Sequence, residues 1–135
     1  MQWNVEAGGG FTDGIPWLPL HKDYYKINVE SETADQHSVL NTYHKLIALR
    51  KSIPVLQQGD IEFTKTGRNG VLSYTRTLGT HQIHVVLNFS KYKRILHISN
   101  SYKILFSTHQ KDTFDDENDI LQPFEGVVIQ LTIDN

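Results

Sequence analysis

Fifteen acidic side chains and seven histidines are the groups here that could move protons or hold a metal, and their spacing limits what they can do. The densest carboxylate run, Asp115-Asp116-Glu117-Asn118-Asp119, superficially matches a calcium loop. It lacks the central glycine and the closing glutamate, and Gly126 or Val127 stands at the closing position. A solvated acidic loop is the better reading. His81 and His84 are three residues apart, which in a strand points them to opposite faces, and His37 and His44 are two helical turns apart. Zinc needs three or four convergent ligands, so no metal site is predicted. The chain has no cysteine, which removes disulfides, thiol catalysis and cysteine-based zinc sites together. Gly8-Gly9-Gly10 precedes no strand-to-helix switch and is not a phosphate cradle. Asn88-Phe89-Ser90 fits a glycosylation acceptor but falls inside a predicted strand, and is discounted.

The aromatics Trp3, Trp17, Tyr24 and Tyr25 are the remaining candidates. Exposed rings can stack on sugars and would make a carbohydrate-binding platform. The competing reading, which is favoured, is that they anchor an irregular loop onto a larger body. Trp3 and Trp17 stand as the candidate substrate contacts, and no catalytic residue, metal ligand or cofactor is assigned.

The elements that must position these residues change character along the chain. Residues 1–34 are rich in Gly, Pro, Asp and aromatics without a sustained period, and predict an irregular arm with a short extended piece at Tyr25–Val29. After Asp35, a plausible N-cap, Val39, Leu40, Tyr43, Leu46 and Ile47 form the stripe of an amphipathic helix over about 36–53. Arg50 and Lys51 suit its last turn, and Pro54 stops it. From residue 60 the period becomes two. Alternating runs at 61–64, 71–77, 82–89, 94–98, 102–106 and 127–133 predict strands, with Phe63, Leu72, Tyr74, Val85, Leu87, Ile104, Phe106, Ile129 and Leu131 facing inward. Thr66–Gly70 and Leu78–His81 supply turns. The fold class expected is mainly β: an antiparallel Greek-key sandwich over 56–135, preceded by one long amphipathic helix and an irregular N-terminal arm.

Three passages carry a resemblance. Met1-Gln2-Trp3, Ala7-Gly8-Gly9-Gly10-Phe11-Thr12 and Pro16-Trp17-Leu18-Pro19 resemble the late barrel segment of α-amylase-superfamily α-glucosidases. That branch contains oligo-1,6-glucosidases, dextran glucosidases and trehalose-6-phosphate hydrolases. The words of Ser38–Lys51, followed by Pro54, Leu56 and Gly59-Asp60, are similar to the last barrel helix of the same family. Tyr74-Thr75-Arg76-Thr77, Val85–Ser90 and Leu121–Glu125 are similar to landmarks of its C-terminal β-domain. Asn4 departs from the pattern, where an aspartate usually follows Met-Gln-Trp.

The resemblance implies a C-terminal fragment, with 1–55 the end of a (β/α)8 barrel and 56–135 the β-domain. A whole barrel takes about 250 residues, more than this chain holds. The implied parent is a retaining α-glucosidase of short α-linked glucosides, without a redox cofactor. The catalytic carboxylates of such enzymes lie on earlier barrel strands, and no His-Asp pair or Gly-Phe-Arg-x-Asp stretch occurs here. This chain alone is therefore expected to be inactive, with the rest of the barrel as its partner. Linkage preference is not encoded in it.

The totals exclude other classes. With 13 basic and 15 acidic side chains well mixed, the net charge of −2 makes no footprint for nucleic acid or an anionic membrane. No apolar run is long enough to span a bilayer, and a cytoplasmic location is expected. With the barrel absent, Val39, Tyr43, Leu46 and Ile47 predict a homodimer paired helix to helix.

Overall fold

The computed structural model describes residues 1–64, 70–98, 101–114 and 119–132. The chain divides into two compact units, Met1–Ala48 and Leu49–Asn135. The turn expected at 66–69, most of the acidic run and Ile133 lie outside the described residues.

In the first unit the arm is irregular, as its composition dictates, but it ends in a helix that the sequence reading missed. Tyr25–Val29 is not an extended piece. Tyr24, Lys26 and Ile27 donate backbone bonds of turns, and α1 (Val29–Ala34) follows at once. Asn28 caps it: its side chain accepts from the Ser31 amide at 2.9 Å, while Ser31 Oγ accepts from the Asn28 amide at 3.2 Å. This reciprocal box satisfies two otherwise orphaned donors and nucleates a helix too short to persist by propensity.

The second helix, α2 (Val39–Ser52), starts later than Asp35. Ser38 takes the capping role, its Oγ accepting from the Asn41 amide at 3.1 Å, whereas Asp35 closes α1 through its backbone amide. No residue of α2 is buried; Val39, Tyr43 and Ile47 are exposed, and Leu40, Leu46 and Leu49 are half-buried. Pro54 ends this helix but opens another, α3 (Pro54–Gln58), because proline needs no amide partner at the first helical position.

The second unit is mainly antiparallel sheet. It contains β1 (Asp60–Phe63), β2 (Val71–Leu78), β3 (His81–Asn88), β4 (Arg94–Ile95), β5 (Tyr102–Ser107), β6 (Ile120–Leu121) and β7 (Gly126–Leu131). Five strands form one sheet in the order β1-β2-β3-β7-β5, and β4 pairs with β6 in a second. The expected strand at 94–98 shrinks to two residues, and β6 carries no periodicity that would have announced it.

The large sheet is covered on both faces. Val86, Val127, Ile129 and Ile104 pack on one side with Leu121 and Phe114, while Ile83, Val85 and Val128 pack on the other with Val55 and Leu56 of α3. Double coverage explains the unbroken run Val85-Val86-Leu87. Alternation sends Ile104 and Leu105 to opposite cores, and a bulge between Ile104 and Phe106 puts Phe106 in the second core beside Leu105. Two expected inward residues face water instead: Phe63 is 62% and Leu72 38% exposed. Both lie toward the β1 edge, where alternation persists but no layer covers the face.

Arginines fasten α3 to the sheet. Arg76 donates from Nε to the Val55 carbonyl at 3.2 Å and from Nη2 to the Gly59 carbonyl at 2.6 Å, and Arg50 Nη1 donates to the Leu56 carbonyl. The Val55 carbonyl also accepts from the Gly59 amide at 3.1 Å, so Arg76 adds a second bond there and supports the end of the helix, where carbonyls run short of intrahelical partners.

Candidate functional site

The glycine-aromatic arm is the candidate site that sequence reasoning singled out. Its turn is built by close approach. A Cβ on Gly8 would sit 1.8 Å from the Thr12 carbonyl oxygen, and Gly10, at φ +75°, would bring one within 2.7 Å of Trp3 Cβ. The turn is held by Trp3 donating its amide to the Gly9 carbonyl at 2.8 Å, and by Val29 and Glu30 donating to the Gln2 and Trp3 carbonyls, each at 2.9 Å. Trp3 is thus fixed at its backbone, and the residue is 55% exposed.

A cavity of about 600 Å³ opens within this arm. Trp17, Phe11, Ile15, Leu18 and Leu20 supply its apolar wall, and Gln2 and Thr12 its polar groups. Trp17 is 92% exposed. The structure therefore places Trp17 at the cavity but not Trp3, Tyr24 or Tyr25. Tyr24 and Tyr25 meet edge to face at 6.4 Å, with Lys26 Nζ 5.4 Å from the Tyr25 ring centre. The four aromatics do not converge on one face.

Among the described residues, no three of His, Asp and Glu come together as a metal would require. Two carboxylates in the second unit are engaged in structural hydrogen bonds. Glu125, 1% exposed, accepts from Ser107 Oγ at 2.8 Å, Lys111 Nζ at 2.9 Å and the Gln122 amide at 2.7 Å. Asp119 accepts from the Ile98 amide and from the Tyr102 hydroxyl. Burial first, then the hydrogen bond and charge of Asp119, raise the Tyr102 phenol to about 12.

Asn88 is 2% exposed, and its amide nitrogen donates to the carbonyls of Tyr92 and Gln122, both at 2.8 Å. A glycan on this buried nitrogen would replace one of its two hydrogens and break one of these bonds. His37, His44 and His81 are exposed. His84 is half-buried, its Nε2 lies 2.7 Å from Ser73 Oγ, and burial lowers its pKa. This pair borders a cavity of about 280 Å³ with Thr64, Arg94 and His97. The sequence reading missed it. Ser73 pairs across with Val86 and Thr75 with His84, so strand alternation places Ser73 and His84 on one face, but only the register reveals that.

With this geometry in view, comparison with known proteins identifies the family. Residues 1–59 match the α-amylase catalytic domain model. The whole chain is 33% identical over 139 aligned positions to the oligo-1,6-glucosidase of Parageobacillus thermoglucosidasius, covering 98% of this chain and 25% of that protein. The chain belongs to the α-amylase superfamily.

Other members of that superfamily agree. The trehalose-6-phosphate hydrolase of Bacillus subtilis strain 168 is 30% identical, with 98% of this chain and 25% of the relative covered. Among solved structures, the Bacillus licheniformis trehalose-6-phosphate hydrolase superposes with a TM-score of 0.84 at 27% identity, over 98% of this chain and 25% of that one. Isomaltulose synthase from Klebsiella sp. LX3 gives 0.84 at 34% identity, over 97% and 24%. The chain thus spans about a quarter of the length of these α-amylase-superfamily relatives.

Proposed function

We propose that this chain forms the closing part of the catalytic barrel and the appended β-domain of a cytoplasmic retaining α-glucosidase that acts on short α-linked glucosides. The observation that carries the reading is a coincidence of boundaries. The catalytic-domain match ends at residue 59, and the first strand of the β-unit starts at Asp60. Residues 1–55 then belong to the barrel, with α2 as its last helix, and 56–135 form a Greek-key sandwich of the two sheets.

The chain's own contribution is positional. Retaining hydrolysis needs two carboxyl groups about 5–5.5 Å apart, one attacking the anomeric carbon and one transferring the proton. These come from other barrel strands. The arm offers apolar surface for the barrel to cover, with Ile15 97% and Trp17 92% exposed. Trp3 and Trp17 are the arm's candidate substrate contacts in this reading, beside their favoured role as anchors of the arm.

Complementation tests the reading. The 135-residue chain is mixed with the preceding three-quarters of the P. thermoglucosidasius enzyme, and p-nitrophenyl α-glucoside hydrolysis is measured. Turnover in the mixture but in neither part alone is the expected result. Saturable isomaltose binding by the chain alone, lost in Trp3→Ala and Trp17→Ala and without complementation, would instead establish a stand-alone carbohydrate-binding module.

A further inference from the structure

Ser73 of β2 and His84 of β3 form a hydroxyl–imidazole pair on neighbouring strands. His84 Nε2 lies 2.7 Å from Ser73 Oγ, within the reach over which a base takes a hydroxyl proton. No other described residue hydrogen-bonds either side chain, so the pair is not a node of a larger polar network. Burial disfavours the charged ring and lowers the His84 pKa, which leaves Nε2 able to accept a proton at neutral pH.

Both residues border the cavity of about 280 Å³, whose apolar wall is Val71, Val86, Ile95 and Leu96. Ser73 is only 3% exposed, so a reagent meets its hydroxyl by entering this cavity, and large ones are excluded. Thr64 and His97 stand at the same cavity. Both are exposed, and neither side chain hydrogen-bonds another described residue.

The rim carrying His97 is held in place. The Asp119 carbonyl accepts from the Leu96 amide and Asp119 Oδ2 from the Ile98 amide, each at 3.2 Å. Clamped on both sides, His97 sits at φ 53°, a left-handed conformation that persists only where the surroundings enforce it.

We propose that Ser73 is a base-activated nucleophile that takes a short acyl group from an activated ester. Ser73 Oγ attacks the carbonyl carbon while its proton passes to His84 Nε2. The bond from that carbon to the leaving oxygen then breaks, and the leaving group departs with the proton. Ser73 is left as an ester and His84 as a neutral ring. Thr64 and His97 are the donors at hand for the oxyanion, and the apolar wall takes the acyl chain. No described carboxylate bonds His84 Nδ1, so the third member of a triad is missing. The expected reaction is therefore slow acylation rather than rapid turnover. It uses none of the residues of the glucosidase reading and stands apart from it.

The test incubates the 135-residue chain with p-nitrophenyl butyrate and locates the acyl group by mass spectrometry of its peptides. One butyryl group on Ser73 is expected. Its rate of formation should fall about 100-fold or more in His84→Gln, the scale of a lost general base. In the unaltered chain the rate should rise with pH as the ring loses its proton and level off by about 6.5. Ser73→Ala should lose this adduct alone, with circular dichroism verifying that both variants fold. Diisopropyl fluorophosphate, which phosphorylates activated hydroxyls and spares amines, should label the same residue. Acyl groups on lysines or the N-terminus with Ser73 unmodified overturn the proposal. So does Ser73 acylation that His84→Gln leaves unchanged, or that keeps rising above neutral pH in proportion to hydroxide.

Discussion

Asn88 and Gln122 are thirty-four residues apart in sequence, and the side-chain amide of the first donates to the carbonyl of the second at 2.8 Å. The same nitrogen serves the Tyr92 carbonyl, and the Asn88 side-chain oxygen accepts from the Ser90 amide at 3.0 Å. One buried side chain thereby joins two loops.

Asn88→Ala should cost about 1–3 kcal/mol, because it removes the acceptor of the Ser90 amide and one of two donors to each carbonyl, leaving the Ser90 hydroxyl on Tyr92 and the Glu125 amide on Gln122. Asn88→Asp should do no better, since a carboxylate cannot donate to those carbonyls. Urea unfolding of both variants checks this, and wild-type stability in Asn88→Asp would show that the donated bonds carry little.

Lys111 and Glu125 make a second long-range tie, with 11% and 0% side-chain exposure. Removing the lysine strands a buried carboxylate, so Lys111→Met should destabilise by about 3–5 kcal/mol. Adding Glu125→Gln should recover part of that loss. A double-mutant cycle measures the recovery, and strict additivity would argue that the two groups do not interact.

The pH dependence follows from His84 and Tyr102. Burial lowers the His84 pKa, so its contribution is complete above its unfolded value, about 6.5, and is lost as pH falls through the lower folded value. Tyr102 is raised to about 12, so its contribution is complete below about 10 and is lost as pH rises towards 12. His84→Gln should flatten the acid limb of a stability–pH profile and Tyr102→Phe the alkaline limb. Unchanged limbs would mean that other groups set them.

The β-unit is expected to fold without the rest, but where it is cut matters. Leu49 and Ile53 pack against the core of Val55, Leu56, Ile83, Val85 and Val128. A chain starting at Leu49 should exceed one starting at Leu56 in stability by about 2 kcal/mol or more, the worth of burying one large aliphatic side chain. Equal melting temperatures would place the boundary at 56.

The helical apolar face should pair two copies when no barrel covers it. Val39 is 68%, Tyr43 63% and Ile47 49% exposed, while Leu46 is half-buried. Light scattering should show a dimer that Tyr43→Glu converts to a monomer. A wild-type monomer at high micromolar concentration would defeat this expectation.

The sequence by itself determined the family, the central helix and the long strands. Family words survive in Met1-Gln2-Trp3 and Pro16-Trp17-Leu18-Pro19, and β2, β3, β5 and β7 are long enough for a period of two to be visible. Tertiary structure decided the rest. α1 exists through the Asn28–Ser31 box, and Asn41 donates to the Glu32, Thr33 and Asp35 carbonyls at its end, none of which a short segment's propensity announces. β4 and β6 are two residues each, too short to show alternation, and depend on each other for pairing. Phe63 and Leu72 carry the inward pattern yet face water, because periodicity fixes which face a residue occupies and only packing fixes what covers that face. The Ser73–His84 pair and the Asn88 hub likewise depend on register and loop closure, which join residues that local sequence holds apart.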